Sequence, residues 1–331
     1  MSNLPTSFRW IVCSAVFASL PFTGGLYACQ VPVFRFALER WTPDRYQVSI
    51  VSQGPLSAEV SEQLRALEAD ANAPSNIEVQ KVDVLANGDP MFHKLWTENR
   101  PADSSPLIVV HYPKRFGAAS PVQIERLTEA SLADLRESPA RSEIMKRLTA
   151  GHSAVWVLLK SGDASKDAKA LETLETQLAR DAERLELPSS EELEVDESLL
   201  SKASVPLQIQ FSVVQLDRQD ISERFLIDCL LGSEEDLKEY ASEPITFPVF
   251  GRGIVLYALV GAGISPEVIG AASKFIVGPC SCQVKEQNPG FDLLLSCDWD
   301  GIIGNTLISS PVPSTEGPPR LLTIPPGKTK K

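Results

Sequence analysis

The chain has 331 residues, of which 43% are hydrophobic and 22% are charged, a composition typical of a globular protein. This length predicts two domains. The formal net charge of −12 argues against a nucleic-acid binder, because phosphate groups are bound by basic surfaces. The same acidity gives the protein no electrostatic attraction to anionic lipid.

Residues 1–28 have the layout of a secretory signal peptide. They contain no acidic residue, and Arg9 precedes an apolar run from Trp10 to Phe22. This run is shorter than the about 20 residues of a membrane-spanning helix. The small residues and turn Thr23-Gly24-Gly25 follow it, and then Leu26-Tyr27-Ala28. The pattern predicts an exported protein of the periplasm or cell envelope, with a buried N-terminal helix as the alternative.

The end of this segment permits two kinds of processing. Leu26-Tyr27-Ala28-Cys29 resembles a bacterial lipobox, in which the cysteine is acylated and becomes the new N-terminus. Tyr27 is bulkier than that motif usually allows, and ordinary cleavage after Ala28 is the alternative. An acylated Cys29 is the only membrane contact that the sequence predicts, and stable anchoring takes more than one acyl chain.

Residues 29–150 form the first predicted unit. In chain order we predict a helix over 31–41, a strand over 46–51, a helix whose apolar stripe is Val60, Leu64 and Leu67, a strand over 77–84, a short helix around Phe92 and Trp96, a buried strand over 107–110, and helices near 122–135 and 139–150. The order begins β-α-β-α-β, without a clear fourth strand.

Residues 151–278 form the second predicted unit. In chain order we predict a strand over 154–159, a long helix from Gly162 that ends before Pro188, an acidic mobile loop over 189–204, a strand over 207–213, a helix over 221–229, a hairpin of 245–250 and 254–260, and a last helix over 266–276. This order, β-α-β-α-β-β-α, is the plan of thioredoxin-like folds. Pro248 falls near the position where that fold keeps a cis-proline.

The predicted fold class is therefore α/β, with two tandem thioredoxin-like units. A cysteine-containing extension follows at 279–310, and the proline-rich residues 311–331 are predicted to be a disordered tail. A fold of this kind does not by itself imply a function.

Both predicted units lack the chemistry of a redox thioredoxin. Such a protein carries two cysteines spaced C-x-x-C at the start of its first helix, where one becomes a thiolate. The matching positions here read Ser-Gln-Gly-Pro at 52–55 and Ser-Gly-Asp-Ala at 161–164. We therefore predict no thioredoxin activity, and no other catalytic residues stand out in the sequence.

The remaining candidate for chemistry is Cys280-Ser281-Cys282. Two thiols one residue apart can close a strained, easily reduced disulfide, or they can bind Cu(I), with Cys297 as a third ligand. In the structural alternative each of the two cysteines forms a structural disulfide with another cysteine, or both are packed thiols, since exported proteins commonly use disulfides. Some pairing among Cys229, Cys280, Cys282 and Cys297 is expected, although Cys229 is equally typical of a buried thiol.

Two stretches resemble an uncharacterised family of exported bacterial proteins. One runs from Cys29 to Trp41 (CQVPVFRFALERW), and the other from Gly278 to Gly290 (GPCSCQVKEQNPG). The similarity extends through most of the mature chain, up to about Asp300. It implies export and thioredoxin-like units that lack the C-x-x-C motif, and it implies no activity.

The sequence thus predicts a non-catalytic envelope protein that binds a protein partner through its thioredoxin-like units. It predicts no cofactor, except in one alternative, in which Cys280 and Cys282 perform thiol-disulfide exchange or handle Cu(I). In a further alternative the protein is a lipoprotein accessory of an envelope transport complex. The identity of the partner and the oligomeric state are open at this stage.

Overall fold

The structure is a computed structural model and describes residues 30–68, 74–86, 88–118, 120–280 and 285–309. The predicted signal peptide, Cys29, Cys282 and the predicted tail lie outside the described residues. Among the helices of the described residues, none combines the length and the apolar composition that a membrane span requires.

The described residues form a mixed α/β fold, which confirms the predicted class at that level. The helices are α1 Val33–Arg40, α2 Ala58–Glu68, α3 Pro90–Asn99, α4 Glu129–Arg136, α5 Pro139–Thr149, α6 Ala164–Arg184, α7 Glu197–Lys202, α8 Arg224–Leu231, α9 Pro266–Val277 and α10 Trp299–Ile303. The strands are β1 Tyr46–Ser52, β2 Ile77–Asp83, β3 Leu107–His111, β4 Gln123–Arg126, β5 Ala154–Leu159, β6 Phe211–Leu216, β7 Ile245–Phe250, β8 Ile254–Val255, β9 Leu259–Val260 and β10 Phe291–Asp292.

The strands form two sheets with the same internal order. The first runs β2-β1-β3-β4, and the second contains β6-β5-β7-β8, extended by β10 and with β9 beside β7. In each sheet the first two strands of the chain are parallel, the third is antiparallel to the first, and the fourth is antiparallel to the third. A helix connects each parallel pair, α2 in the first sheet and α6 in the second, because parallel strands need a crossover.

Helix α6 illustrates how the sequence sets an element and its buried face. The side chain of Asp163 caps the helix by accepting a hydrogen bond from the backbone N–H of Ser165. Leu174 and Leu178, one turn apart, are buried in one cluster with Trp156 of β5. Full burial of one leucine side chain contributes about 2 kcal/mol. Tertiary packing of this face therefore holds α6 in place.

Helices cover both faces of the second sheet, so β5 is buried along its whole length. One face carries Trp156 and packs with α1, α6 and α9. The other face carries Val157 and packs with α5 and α8. Helix α1, which precedes the first sheet in the chain, therefore contributes to the layer over the second sheet, where it contacts β7 and α9.

One hydrophobic core joins the two sheets. Val48 and Val110 of the first sheet and Val157 and Phe247 of the second belong to a single cluster of buried side chains. The opposite face of the first sheet packs against α3 through Trp96. The two predicted units are therefore in contact through a continuous apolar interior.

Two local predictions were wrong. Residues 123–126 form strand β4 instead of the start of a helix, and α4 begins only after the cap residue Thr128. Antiparallel pairing of β4 with β3 outweighs the helical pattern of this short stretch. Residues 197–202, expected in a mobile loop, form α7, whose first turn is capped by Asp196.

The predicted hairpin is interrupted beside Pro248. The returning chain pairs with β7 as β8 and again as β9, and the register shifts by one residue between the two. Pro248 has no N–H to give to a ladder, and its carbonyl accepts a hydrogen bond from Leu256 at 3.0 Å. No peptide bond among the described residues is cis, so Pro248 departs from the expected cis-proline.

Candidate functional site

The turn between β1 and α2 contains residues 52–55, the first of the two positions where a redox thioredoxin would carry C-x-x-C. Ser52 ends β1, and its hydroxyl donates to the carbonyl of Gly54 at 2.8 Å. The Gly54 N–H donates to Oδ1 of Asp83, at the end of β2, also at 2.8 Å. Gly54 has a φ of +96°, a conformation that favours glycine. A carboxylate from the neighbouring strand thus fixes this turn.

The second position, residues 161–164, forms the turn between β5 and α6, and the carboxylate of Asp167 accepts hydrogen bonds from this turn. Its Oδ1 accepts from the N–H and the hydroxyl of Ser161, at 2.7 and 2.8 Å, and its Oδ2 accepts from the Gly162 N–H at 3.0 Å. The backbone N–H of Lys166 holds the pKa of the Asp163 carboxyl below its usual value. Comparable N–H groups stabilise the thiolate of a redox thioredoxin. Here the chain's own carboxylates accept from them.

A groove of about 340 Å³ lies beside the second turn. The first turns of α6 form one wall, and the segments around Pro244 and Gly261 form the other. Lys166 Nζ donates to Oε1 of Glu243 at 2.5 Å and to the carbonyl of Ser242 at 2.9 Å, which joins the two walls. The hydrogen bond to Glu243 raises the pKa of Lys166, so Lys166 is protonated at neutral pH.

Cys280, a predicted redox or metal residue, is buried against the start of the described chain. Its backbone N–H donates to the carbonyl of Val31 at 2.9 Å, and the N–H of Val33 donates to the carbonyl of Gly278 at the same distance. These two bonds pair the chain before α1 with the chain after α9 in antiparallel fashion. The C-x-C motif therefore begins at a fixed point of the fold.

The other predicted site cysteines do not join Cys280 in the described structure. Cys282 and the candidate lipidation residue Cys29 lie outside the described residues. Cys297 lies in the core shared by both sheets, whereas Cys280 belongs to the cluster around α1, α6 and α9. Within the described ranges, no three His, Cys, Asp or Glu side chains are grouped as metal ligands.

Cys229 and Cys297 are buried thiols that form no disulfide. For Cys229 this matches the buried-thiol alternative, and its Sγ lies 3.1 Å from the hydroxyl of Tyr46. Burial raises the pKa of each thiol to about 12. Both are therefore protonated at neutral pH and unreactive, because the thiolate is the nucleophile.

Sequence reasoning missed a cluster of four charged side chains. Lys285 Nζ donates to Oδ2 of Asp292 at 2.5 Å and lies 3.3 Å from Oδ2 of Asp44. Arg115 Nε donates to the same Asp44 oxygen at 2.6 Å. Asp44 and Asp292 are 248 residues apart, so no spacing in the sequence could have indicated the cluster.

The environment of this cluster separates the pKa values of its two carboxyls. Burial raises the pKa of Asp292 to about 6, against the opposing effect of Lys285. Burial also raises the pKa of Asp44, but the hydrogen bonds with Arg115 and Asp292 and the charges of Lys285 and Arg115 together outweigh it, and the net pKa lies below the usual value. Asp292 is 1% exposed, and its Oδ1 has no hydrogen-bond partner within the described structure. The cluster can therefore bind a proton in the mildly acidic range.

A second buried polar group joins α5 to the start of α8. The carboxylate of Glu223 accepts from the hydroxyl of Ser138 at 2.5 Å and from the N–H of Ala140 at 2.6 Å. Arg141 donates to the carbonyl of Leu294 at 3.1 Å. Burial lowers the pKa of Arg141 to about 10, so it stays cationic at neutral pH. This group fixes α5 between the two sheets.

No protein-family model matches the chain, and no curated protein matches it. The resemblance of residues 29–41 and 278–290 to exported bacterial proteins stays a prediction.

Proposed function

We propose that the protein is an exported, non-enzymatic binding protein of the cell envelope, built from two thioredoxin-like units. The shared strand order, with a parallel first pair and a helical crossover in each sheet, supports the two units. The layout of residues 1–28 supports export.

The observation that carries the non-enzymatic assignment is the chemistry of the two turns. Where a redox thioredoxin places its reactive thiol, this chain has Ser52 and Ser161. The carboxylates of Asp83 and Asp167 accept from the N–H groups of the same turns. A carboxylate already in place repels a second anion. The turns are therefore suited to rigidity and not to thiol exchange.

The groove beside α6 is the surface that best fits a partner. Pro244, Ala262 and Ile264 supply apolar contact area, and the fixed pair of Lys166 and Glu243 supplies hydrogen-bonding groups of both charges. Mostly apolar walls with a few well-placed polar groups are typical of binding sites. We therefore place a segment of a partner protein in this groove.

Two measurements test the proposal. The first is disulfide reduction by the purified mature protein, for which we expect no rate above that of buffer. Turnover that is lost in Cys280→Ser would overturn the non-enzymatic assignment. The second is photo-crosslinking in the native envelope from a reactive residue at Lys169, which lines the groove and is exposed. We expect one defined protein product there and none from a control at the exposed Glu78.

Thiol chemistry at Cys280 and Cys282 is the second candidate, and one observation favours it. The pairing of Cys280 with Val31 brings Cys280, the first cysteine of the motif, beside the chain that follows Cys29. Thiolates are preferred ligands of Cu(I). Titration of the reduced protein with Cu(I) against a competing chelator tests this function. Binding that is lost in Cys280→Ser/Cys282→Ser but kept in Cys297→Ser would support it, and absence of binding would remove it.

The third candidate is a lipoprotein accessory of an envelope transport complex. Val31 is 4% exposed and already paired, so only Gln30 separates Cys29 from the folded body. An acylated Cys29 would therefore hold the fold close to the membrane. The intact mass of the protein from native membranes decides between the two processing routes. Added acyl mass on residue 29 supports the anchor, and an unmodified N-terminus at Cys29 removes it.

A further inference from the structure

Four buried polar atoms that lack a hydrogen-bond partner within the described residues lie in one layer of the fold. They are Trp156 Nε1, Thr246 Oγ1, Asp181 Oδ2 and Ser273 Oγ. Trp156 belongs to β5, Thr246 to β7, Asp181 to α6 and Ser273 to α9. The fifth such atom, Oδ1 of Asp292, belongs to the charge cluster described above. Buried polar groups are normally paired, so four unpaired atoms in one layer call for a physical reason.

This layer is the space between the second sheet and the two helices α6 and α9. Trp156 shares a cluster of buried side chains with both helices. Thr246 pairs with Leu158 of the same cluster, and paired residues of neighbouring strands direct their side chains to one face. Asp181 and Ser273 lie on the buried faces of their helices. The layer therefore contains hydrogen-bond donors and acceptors that the closed fold leaves unpaired.

The groove beside the second turn continues into this layer. Ala170 and Ile264 line the groove, and both are also buried members of the cluster between the sheet and the helices. Helix α9 begins at Pro266, directly after the groove wall that ends at Ile264. A displacement of α9 away from α6 would therefore widen the groove and connect it with the four polar atoms.

The contact of α9 with α6 is made by small side chains. Gly270 faces Gln177, because a Cβ atom at that glycine would lie 3.4 Å from Nε2 of Gln177. Ser273 follows one turn later on the buried face. The two isoleucines of α9 are fully buried, whereas Phe275, its largest apolar side chain, is 37% exposed. Because hydrophobic stabilisation scales with buried apolar area, α9 gains less from burial than a helix whose largest side chains all point inward.

Both ends of α9 are attached to the rest of the fold near a glycine. Before the helix, Gly261 has a φ of +49°, a conformation that favours glycine, and its N–H donates to the carbonyl of Pro244 at 2.9 Å. After the helix, the carbonyl of Gly278 accepts from the N–H of Val33 at 2.9 Å. Small residues at the ends of an element are typical hinges. A rotation about these two ends moves the middle of α9 away from α6.

We propose that α9 is a hinged lid, which opens locally from α6 and exposes the four polar atoms to the groove. In the closed state these atoms are buried without a partner in the described chain, and such burial costs free energy. In the open state water or a bound segment supplies the partners, so opening costs less than in a fully paired layer. The inference deepens the proposed function, because it concerns the same groove. The opening itself belongs to the free protein and is measured without a partner.

Hydrogen exchange of the purified mature protein at low urea concentrations, read by mass spectrometry, tests the lid. We expect the amides of α9 to exchange about tenfold or more faster than those of β5, and with little dependence on urea, because a local opening exposes little surface. Thr246→Val keeps the shape of the side chain and removes one unpartnered hydroxyl from the closed state. It should slow the exchange of α9 about tenfold, and Ser273→Ala should slow it further.

Ser153→Ala is the matched control, because it removes a buried hydroxyl that is paired. Ser153 Oγ donates to the carbonyl of Gln208 at 2.7 Å and accepts from the N–H of Gln210 at 3.1 Å. Loss of these bonds gives the closed state no advantage. The control should therefore not slow the exchange of α9.

Two results would overturn the proposal. In the first, α9 and β5 exchange at the same rate and with the same urea dependence, which means that α9 opens only when the whole protein unfolds. In the second, Thr246→Val leaves the exchange of α9 unchanged, which means that the hydroxyl is already satisfied in the closed state. Failure of the proposed function looks different. The expected exchange pattern without a crosslinked product at Lys169 would support the lid and remove the partner from the groove.

Discussion

The hydroxyl of Tyr112, at the end of β3, donates a hydrogen bond to the backbone carbonyl of Cys229 in α8. This bond connects the first sheet with a helix that covers the second. Tyr112 is buried within the cluster that contains strands of both sheets. The two sheets are therefore expected to fold as one cooperative unit.

We predict a single unfolding transition and a loss of about 1–2 kcal/mol in the free energy of unfolding for Tyr112→Phe. The substitution keeps the ring and removes one buried hydrogen bond. Urea denaturation followed by circular dichroism and by tryptophan fluorescence gives both quantities. Tyr240→Phe is the control, because Tyr240 is 41% exposed. Two separated transitions, or equal effects of the two substitutions, would contradict this prediction.

Glu39 connects α1 with the last described segment of the chain, around Ile308 and Ser309, by hydrogen bonds. Its Oε1 accepts from Arg35 Nε at 2.6 Å, and its carboxylate also accepts from the N–H groups of Ile308 and Ser309, at 3.0 and 2.7 Å. We predict that Glu39→Gln lowers the free energy of unfolding by about 3 kcal/mol, because it leaves the buried Arg35 without its counter-charge.

An exposed ion pair on the same protein provides the control for Glu39. Arg65 and Glu62 of α2 are 2.8 Å apart, and both side chains are mostly exposed. Exposed pairs contribute little, so Glu62→Gln should change stability by less than about 0.5 kcal/mol. Chemical denaturation of both variants measures the difference. Similar changes in the free energy of unfolding for the two variants would show that the buried contacts of Glu39 do not stabilise the protein more than an exposed ion pair does.

Much of the sheet scaffold was predictable because its signals are local. The continuous apolar run at 154–159 became β5, and the cap at Asp163 started α6. Strand β4 was missed because 123–126 is short and its strand state depends on pairing with β3. The contact between Asp44 and Lys285 was also missed, because only the folded chain brings these residues together.

The candidate site was predictable only in part, for the same reason. The sequence located the turns at 52–55 and 161–164 and the absence of cysteine from them. It did not reveal that Asp83 and Asp167 close these turns. Both are ordinary acidic residues until the backbone N–H groups of a turn converge on them.

The buried thiols give a prediction about reactivity. Cys229 and Cys297 have pKa values raised to about 12 by burial. At pH 8 neither should react with a maleimide in the folded protein, and both should react in denaturant, because thiolate formation and access both require unfolding. Mass spectrometry after timed alkylation counts the modified residues. Rapid labelling of either cysteine in the folded protein would contradict its burial.

Asp292 gives a prediction about pH, and its sign follows from the raised pKa. The folded state holds the proton of this carboxyl with a pKa of about 6, whereas the ordinary value is 3.8. The stability that this proton contributes is therefore fully present below about pH 4 and is lost as the pH rises through about 6. Asp292→Asn does not titrate. From pH 4 to pH 7 the unmodified protein should lose up to about 3 kcal/mol relative to that variant.

Urea denaturation at several pH values between 4 and 7 measures this difference. The free energies of unfolding of the two proteins should also differ by a constant amount, because the variant leaves Lys285 with a weaker partner. The prediction therefore concerns only how this difference changes with pH. Asp103→Asn is the control, since hydrogen bonds from Ser105 lower the pKa of that exposed carboxyl. It should show no loss over the same range. A flat difference for Asp292→Asn would mean that Lys285 keeps Asp292 ionised throughout, and that the charge cluster is a permanent ion pair.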